Sequence, residues 1–510
     1  MKGAPLMKTY DVIVIGTGAA NIVVDAAARQ GLRIAQIERS HFGGTCLNRG
    51  CIPTKVMVTA ADYVREITEA SVIGIETSDV HVNWDQLSKR VWDKIGENTG
   101  VKSYYGAMDN VDIYEGTGFF TDKNVIQVQM QDGTLSEMLT ADKIILGVGA
   151  RTTIPRLSGL DTTDYITSES FFGSAFPQKP YESLIIVGGG AIGCEFAHVF
   201  SALGTKVTLI QHNKRLLPKE DEEISAHLLQ ELQRLGITIH VDQDTVRVRQ
   251  ENGQKILTFR NITTGEEQEV SAEALLIAPG ITPMTDLLHL ECTDVQTDKK
   301  GFIQTNEFLE TSADGIWALG DVNGTAPFRH KANYEADIIA HNLFSGYAPS
   351  DWRWARYDNV PAVTYTFPQT AHVGLTEKQA IAAGYAVKTA KNRFSYTAKG
   401  YALGYRTGAP NDGFVKIVVD KWTNKMLGMH ITGPQASVLI QPFVSLMNAG
   451  RTTLQPIHEE IASPIVRQLR AGGLTREMDP RSVLTVGETM TPHPSLTEVA
   501  MWTQYYYEGK

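Results

Sequence analysis

The chain has 510 residues, 42% of them apolar, and a formal net charge of −10. That length predicts several domains, and the acidic balance excludes a general nucleic-acid or anionic-membrane binder, whose partners attract basic surface. No stretch reaches the roughly 20 uninterrupted apolar residues of a membrane span. The apolar run from Val12 is broken by Asn21 and Asp25, so it reads as strand and helix rather than as a signal peptide. Four cysteines and no targeting pattern predict a reducing cytoplasm, where a close cysteine pair is more often catalytic than structural.

Residues 10–40 predict strand, glycine turn, helix and strand: the run Asp11 to Ile15, then Gly16 and Gly18, an apolar-periodic helix to about Arg29, and a second strand ending at Glu38. In such a unit the glycines let backbone approach a pyrophosphate at the helix N-terminus, and an acid about 20 residues on takes ribose hydroxyls. Asn21 stands where GxGxxG has its third glycine, which weakens the motif taken alone. Next comes GGTCLNRGCIPTK, Gly43 to Lys55. Cys46 and Cys51 lie five residues apart, after a glycine pair that permits a tight turn and just before Pro53, a residue favoured in the first turn of a helix. A dithiol at a helix start feels the positive end of the dipole, which favours the thiolate that attacks a disulfide. A structural disulfide and a metal site are the alternatives, and no second Cys or His pair lies nearby to complete a metal site.

GGTCLNRGCIPTK resembles the redox-active disulfide motif of the flavin-dependent pyridine nucleotide-disulfide oxidoreductases, the family of dihydrolipoamide dehydrogenase, glutathione reductase and mycothione reductase. The resemblance extends over almost the whole chain. It implies an α/β fold with two Rossmann-like dinucleotide-binding domains plus a C-terminal α+β dimerisation domain. The expected boundaries are 1–154 and 281–354 for FAD, 155–280 for NAD(P), and 355–510 for the interface. It also implies that Gly16, Gly18, Glu38, Gly44 and Thr45 contact FAD and that Lys55 lies near the flavin N5. The GTGxxN turn ending at Asn21 is similar to that of mycothione reductases.

A helical region follows to about Gly74, a second amphipathic pattern covers Trp84 to Ile95, and short strands are expected between Asp109 and Val128. KIILGVGA, Lys143 to Ala150, predicts a buried strand, with Gly149 among the implied flavin contacts. Leu184 to Gln211 repeats the first unit with a full GxGxxG at Gly188, Gly190 and Gly193. Two dinucleotide units mean two nucleotides, and a flavin that cycles a dithiol needs a hydride partner, NAD or NADP. Where an NAD site carries Glu or Asp, this chain has Gln211, His212, Asn213, Lys214 and Arg215. Losing the acid and gaining cations favours the 2′-phosphate of NADP, unless these residues form only a solvated loop. By the resemblance Glu195 pairs with Lys55 near the nicotinamide, and Gly280 contacts that cofactor from APGITP, which lacks the usual arginine after its glycine. Asp321, in TSADGIWALGDVNG, matches the acceptor of the ribityl chain, and FRHKA starts a helix whose N-terminus, at His330 and Ala332, faces the flavin pyrimidine.

From about Tyr357 the chain alternates strands, AVTYTF, GFVKIVVD and KMLGMHITG, with helical patterns from Gln435 to Ala449 and Ile457 to Leu469. HPSLTE places His493 five residues before Glu498, and an imidazole oriented by a carboxylate suits acid/base work on a thiol. The resemblance implies that this dyad reaches the cysteine pair of the other subunit, hence a two-fold homodimer with shared active sites. Ser463 to Met490, with TREMDPRS, is longer than the connection usual in the family and reads as a surface hairpin or a partner contact. Cys194 and Cys292 read as buried core thiols, and with Cys292 the last cysteine, the C-terminal thiols of mercuric reductase and large thioredoxin reductase are missing.

The implied relay passes hydride between nicotinamide and flavin, opens the disulfide through Cys51, and exchanges with substrate at Cys46 while His493 moves protons. HPSLTE is nearest to dihydrolipoamide dehydrogenases, so a small dithiol or a lipoyl carrier is the first expected substrate. GTGAAN, EFAHVFSALG and the missing acid point instead to a low-molecular-weight disulfide reductase, of mycothione or glutathione type, using NADPH. A reading of another class is a flavoprotein subunit that mainly docks a lipoyl carrier protein through its extra C-terminal segment.

Overall fold

In the computed structural model, which describes residues 7–454, 464–473 and 475–508, the strand Met7–Ile15 buries Val12 to Ile15 without alternation. A strand apolar on both faces belongs in the middle of a parallel sheet. It lies between Ile34–Glu38 and Met138–Leu146, with Val111–Asp122 and Ile316–Ala318 beyond them, all parallel. Val125–Met130 joins antiparallel to Val111–Asp122 and Met138–Leu146. In place of the short strands expected from Asp109, Val111–Asp122 runs unbroken for 12 residues. Gly116 and Gly118 occupy two of its inward positions and hide the period of two from the sequence.

The second glycine turn belongs to a parallel sheet ordered Ala274–Ile277, Ser183–Val187, Lys206–Ile210, Thr238–His240. An antiparallel meander, Gln243–Glu251, Gln254–Asn261 and Glu267–Ala272, adjoins it. The first glycine of each turn is left-handed, with φ +102° at Gly16 and +115° at Gly188. A Cβ there would stand 2.3 Å from the Gly147 carbonyl oxygen or 2.2 Å from that of Ala278, so only glycine lets the neighbouring strand end pass so close. These elements fall in one compact unit, Met1–Ile67, Asp79–Lys214 and Gly236–Tyr357.

The other unit comprises Thr68–Ser78, Arg215–Leu235 and Asp358–Lys510. Its antiparallel sheet is ordered Ala362–Thr364, Gln369–Gly374, Met426–Gly433, Phe414–Asp420, Val387–Arg393. Every residue of Phe414–Asp420 and Met426–Gly433 is buried, and Phe394, Phe443 and Met447 pack into the same core. The helix Glu222–Arg234, from within the 155–280 stretch, clusters with this unit. On the sheet Lys416, almost wholly buried, meets Asp221 at 3.0 Å, Glu223 at 2.9 Å and Glu377 at 2.6 Å, the partners that a buried charge requires.

The helix expected over Gln435 to Ala449 is two, Ala436–Leu439 and Gln441–Asn448, with Pro442, which has no amide to donate, at the start of the second. Of the pattern from Ile457 to Leu469, residues 457–463 lie outside the described residues, and the described helix is Pro464–Ala471. In the extra segment, whose Ser463 and Leu474 also lie outside, Arg476–Met478 pairs antiparallel with Thr452–Leu454. No helix among the described residues is long and apolar enough to cross a membrane.

Candidate active site

Cys46 sits in the short helix Gly44–Asn48, and Cys51 opens the long helix Cys51–Glu69. Asn48 secures the turn between them: its buried amide donates to the carbonyls of Phe42 and Gly44, both at 2.9 Å, and its carbonyl accepts from Asn98 at 2.8 Å. Nothing in the sequence pattern singles out Asn48 except an amide side chain between two cysteines. Both thiols are free, Cys46 half-buried and Cys51 exposed, and they hydrogen bond to each other. The Cys51 thiol, donating, pushes Cys46 down to about 7 against the effect of burial, helped by the charges of Arg329 and Lys55. The same bond pushes Cys51 up, because Cys51 keeps its proton for it. The pair therefore sheds one proton near neutrality and holds the other.

Lys55 stands one helical turn beyond Cys51, and its Nζ lies 2.6 Å from Oε2 of Glu195. Glu195 is buried in Ala191–Ala202, the helix of the second glycine turn. Two further polar pairs join the same helices: Asp62 with His198 at 2.9 Å, and Arg65 donating to Ser201 at 2.6 Å. Residues 195, 198 and 201 share one side of their helix, as 55, 62 and 65 do of theirs.

The first glycine turn fits a dinucleotide. A Cβ on Gly44, at φ +67°, would stand 2.7 Å from the Gly18 Cα, so two backbone segments meet at the start of Asn21–Arg29 with no side chain between them. Thr17 donates to Glu38 from its hydroxyl at 2.7 Å and its amide at 3.1 Å, and its hydroxyl accepts from the Gly43 amide at 3.2 Å. Glu38 is thus fixed, buried, at the end of its strand, with the Ser40 amide on its other oxygen at 2.8 Å. Asn21 accepts from Gln36 at 2.9 Å. Thr45 is exposed, and Gly149 is left-handed at φ +71°. Burial pushes the Asp321 carboxyl up. Behind it the buried Lys331 pairs with Glu335 at 2.9 Å, and Glu335 accepts from the Gly320 amide at 2.7 Å. His330 is exposed and stacks on Phe328, and Ala332 is buried, both in the first turn of Arg329–Phe344.

At the second turn, among the described residues, nothing beyond the adjoining chain lies within 4 Å of a Cβ added to Gly190 or Gly280, leaving an open backbone cradle. Gln211 is buried and accepts from the Gly189 amide at 2.9 Å, so the amide that replaces the expected acid braces the turn itself. His212 pairs with Asp244 at 2.7 Å. Arg215 belongs to the other unit and pairs there with Glu222 at 3.1 Å, while Lys214 is exposed.

Within the C-terminal unit His493 Nδ1 hydrogen bonds to Glu498. Glu498 is fully buried and accepts from the Ser495 amide at 3.2 Å, whereas the imidazole is 64% exposed. Trp502 stacks on it with ring centres 6.3 Å apart, and a cavity of about 210 Å³ lined by Thr491, Met501 and Tyr505 adjoins Trp502. Of the other cysteines, Cys194 is buried, but Cys292 is only half-buried, because the turn Leu290–Cys292 packs at the margin of its core.

A pyridine nucleotide-disulphide oxidoreductase model matches residues 10–336, and the dimerisation domain of the same enzymes matches residues 360–468. Mycothione reductase of Mycobacterium tuberculosis is 33% identical over 468 residues, covering 88% of this chain and 95% of the relative. Dihydrolipoyl dehydrogenase of Bacillus subtilis is 32% identical over 510 residues, 98% of both chains. Mercuric reductase of Staphylococcus aureus is 32% identical over 87% of this chain and 78% of its own. Among solved structures, the HOCl-induced flavoprotein disulfide reductase RclA from Escherichia coli shares the fold with a TM-score of 0.76 at 24% identity, over 98% of this chain and 99% of that one.

Proposed function

The chain belongs to the pyridine nucleotide-disulphide oxidoreductases, FAD enzymes that use NAD(P), and from that membership we propose that it exchanges electrons between a nicotinamide nucleotide and a small dithiol or disulfide, dihydrolipoamide first. The observation that carries this reading is the hydrogen-bonded Cys46–Cys51 pair one turn from a lysine salt-bridged to the second nucleotide helix. The dimerisation-domain match supports a homodimer.

In the reducing direction Cys46, the more acidic thiol, attacks one sulfur of the substrate disulfide and forms a mixed disulfide. The departing thiolate takes a proton from His493 of the partner subunit. Cys51 then attacks the Cys46 sulfur, expels the second substrate thiol and closes the Cys46–Cys51 disulfide, so the substrate gains the two electrons that the pair loses. With dihydrolipoamide every step runs backwards. The flavin, when bound, exchanges two electrons with the nicotinamide and the cysteine pair. Gly16, Gly18, Gly44 and Glu38 would hold its nucleotide half, and Asp321 its ribityl chain. Lys55, oriented by Glu195, would stabilise negative charge at the ring.

Lipoamide is placed first for HPSLTE, the dyad segment. A low-molecular-weight disulfide reductase using NADPH is the second reading, favoured by Gln211 in place of an acid and by exposed Lys214 beside it. The deciding experiment is steady-state oxidation of dihydrolipoamide with NAD and NADP compared side by side. Rapid turnover supports the first reading, and the better acceptor reports on Gln211 and Lys214. Negligible turnover, with flavin still promptly reduced by NADPH, rejects lipoamide in favour of another small disulfide.

A further inference from the structure

Arg329 is the first residue of the helix Arg329–Phe344 and stands in FRHKA, where the family resemblance implies contacts at His330 and Ala332 and assigns no role to the arginine side chain. Its Nε donates to Asn333 Oδ1, one turn on, at 2.9 Å, which sets the plane of the guanidinium. Its Nη1 reaches 3.8 Å from the point where a side chain on Gly18 would begin, and the Gly44 Cα lies 4.0 Å from that same point. Helix start, glycine turn and the segment leading into Cys46 thus converge on one guanidinium. Its charge also reaches the Cys46 thiol, which it helps to acidify.

We propose that Arg329 binds the diphosphate of the flavin nucleotide, its guanidinium closing over the cradle of Gly18 and Gly44. The assignment rests on the reading of the first glycine turn as a flavin dinucleotide site. Backbone amides at a helix N-terminus give a phosphate neutral donors and part of a dipole, whereas a guanidinium adds a full charge and paired N–H groups matched to two phosphate oxygens. Asn333 orients the group before the nucleotide arrives, so less side-chain freedom is lost on binding.

The test is titration of FAD into the flavin-depleted full-length protein, followed by flavin fluorescence, for wild type, Arg329→Lys and Arg329→Gln, with circular dichroism as the check on folding. Removing a charge-assisted hydrogen bond is expected to raise the FAD dissociation constant about 10- to 100-fold in Arg329→Gln. Arg329→Lys recovers part of the loss, and wild-type affinity falls more steeply with salt than that of Arg329→Gln. A folded Arg329→Gln that binds FAD within about twofold of wild type overturns the assignment and leaves the flavoprotein reading intact. Failure of the wild type to bind FAD overturns both.

Discussion

Replacing Cys51 by alanine removes the donor that holds Cys46 near 7 and should turn Cys46 towards an ordinary thiol. At neutral pH about half of Cys46 is thiolate in the wild type, against about 3% for an unperturbed thiol of pKa about 8.5. Intrinsic nucleophilicity moves the other way: with a Brønsted slope of about 0.45, a rise of about 1.5 in pKa makes each thiolate about fivefold more reactive. The two effects together predict alkylation of Cys46 about threefold slower than wild type at pH about 7, about sixfold slower near pH 5.5, and about fivefold faster near pH 10. The curves therefore cross near pH 8. Lys55 and Arg329 remain in the variant, so these are the largest differences expected. The assay is pseudo-first-order iodoacetamide labelling of protein pre-reduced with dithiol, with Cys46 read by peptide mass spectrometry. Superposed curves with a common midpoint near 7 would refute the reasoning, since Lys55 and Arg329 would then suffice without the Cys51 donor.

Lys55→Met leaves the Glu195 carboxylate without its cation, and reduction of bound flavin by NAD(P)H, followed by stopped flow, should slow by about 10- to 100-fold. His493→Gln should spare that half-reaction and slow disulfide exchange by about 10²- to 10⁴-fold, measured by reoxidation of the reduced enzyme with substrate disulfide. Lys416→Met should destabilise the folded state by about 3 kcal/mol in urea unfolding near neutrality, because it leaves three carboxylates facing one another. The sign with pH follows from Asp221: burial raises it, but the Lys416 ammonium holds it below the usual carboxylate range. Its contribution is therefore present above the unfolded value of about 3.9 and is lost as pH falls through the lower folded value, so wild type and variant should converge in acid.

Periodicity and spacing made both strand-turn-helix units and the cysteine turn legible, because each is written within about 30 consecutive residues. Pairs distant in sequence were not. Glu195 could be matched to Lys55 only through family resemblance, and Asp62 with His198 and Arg65 with Ser201, each 136 positions apart, carry no local signal. Lys416 sits in GFVKIVVD, where a lysine among apolar residues suggests a solvent-facing position, yet its partners at 221, 223 and 377 let the sheet bury it. His212 and Arg215 read as part of a patch for a 2′-phosphate, and the sequence could not show that they lie beside Asp244 and Glu222. Arg329 escaped notice because only the folded chain sets it against Gly18.

The three polar rungs between Cys51–Glu69 and Ala191–Ala202 also bear on how this protein can be recombined with its relatives. A chimera that imports a foreign second nucleotide unit brings new residues at 195, 198 and 201 while keeping Lys55, Asp62 and Arg65. Unless all three rungs are matched, the crossover costs half-buried polar groups these partners on the helix that Cys51 opens. Engineers recombining the chain would do better to exchange both helices as one cassette.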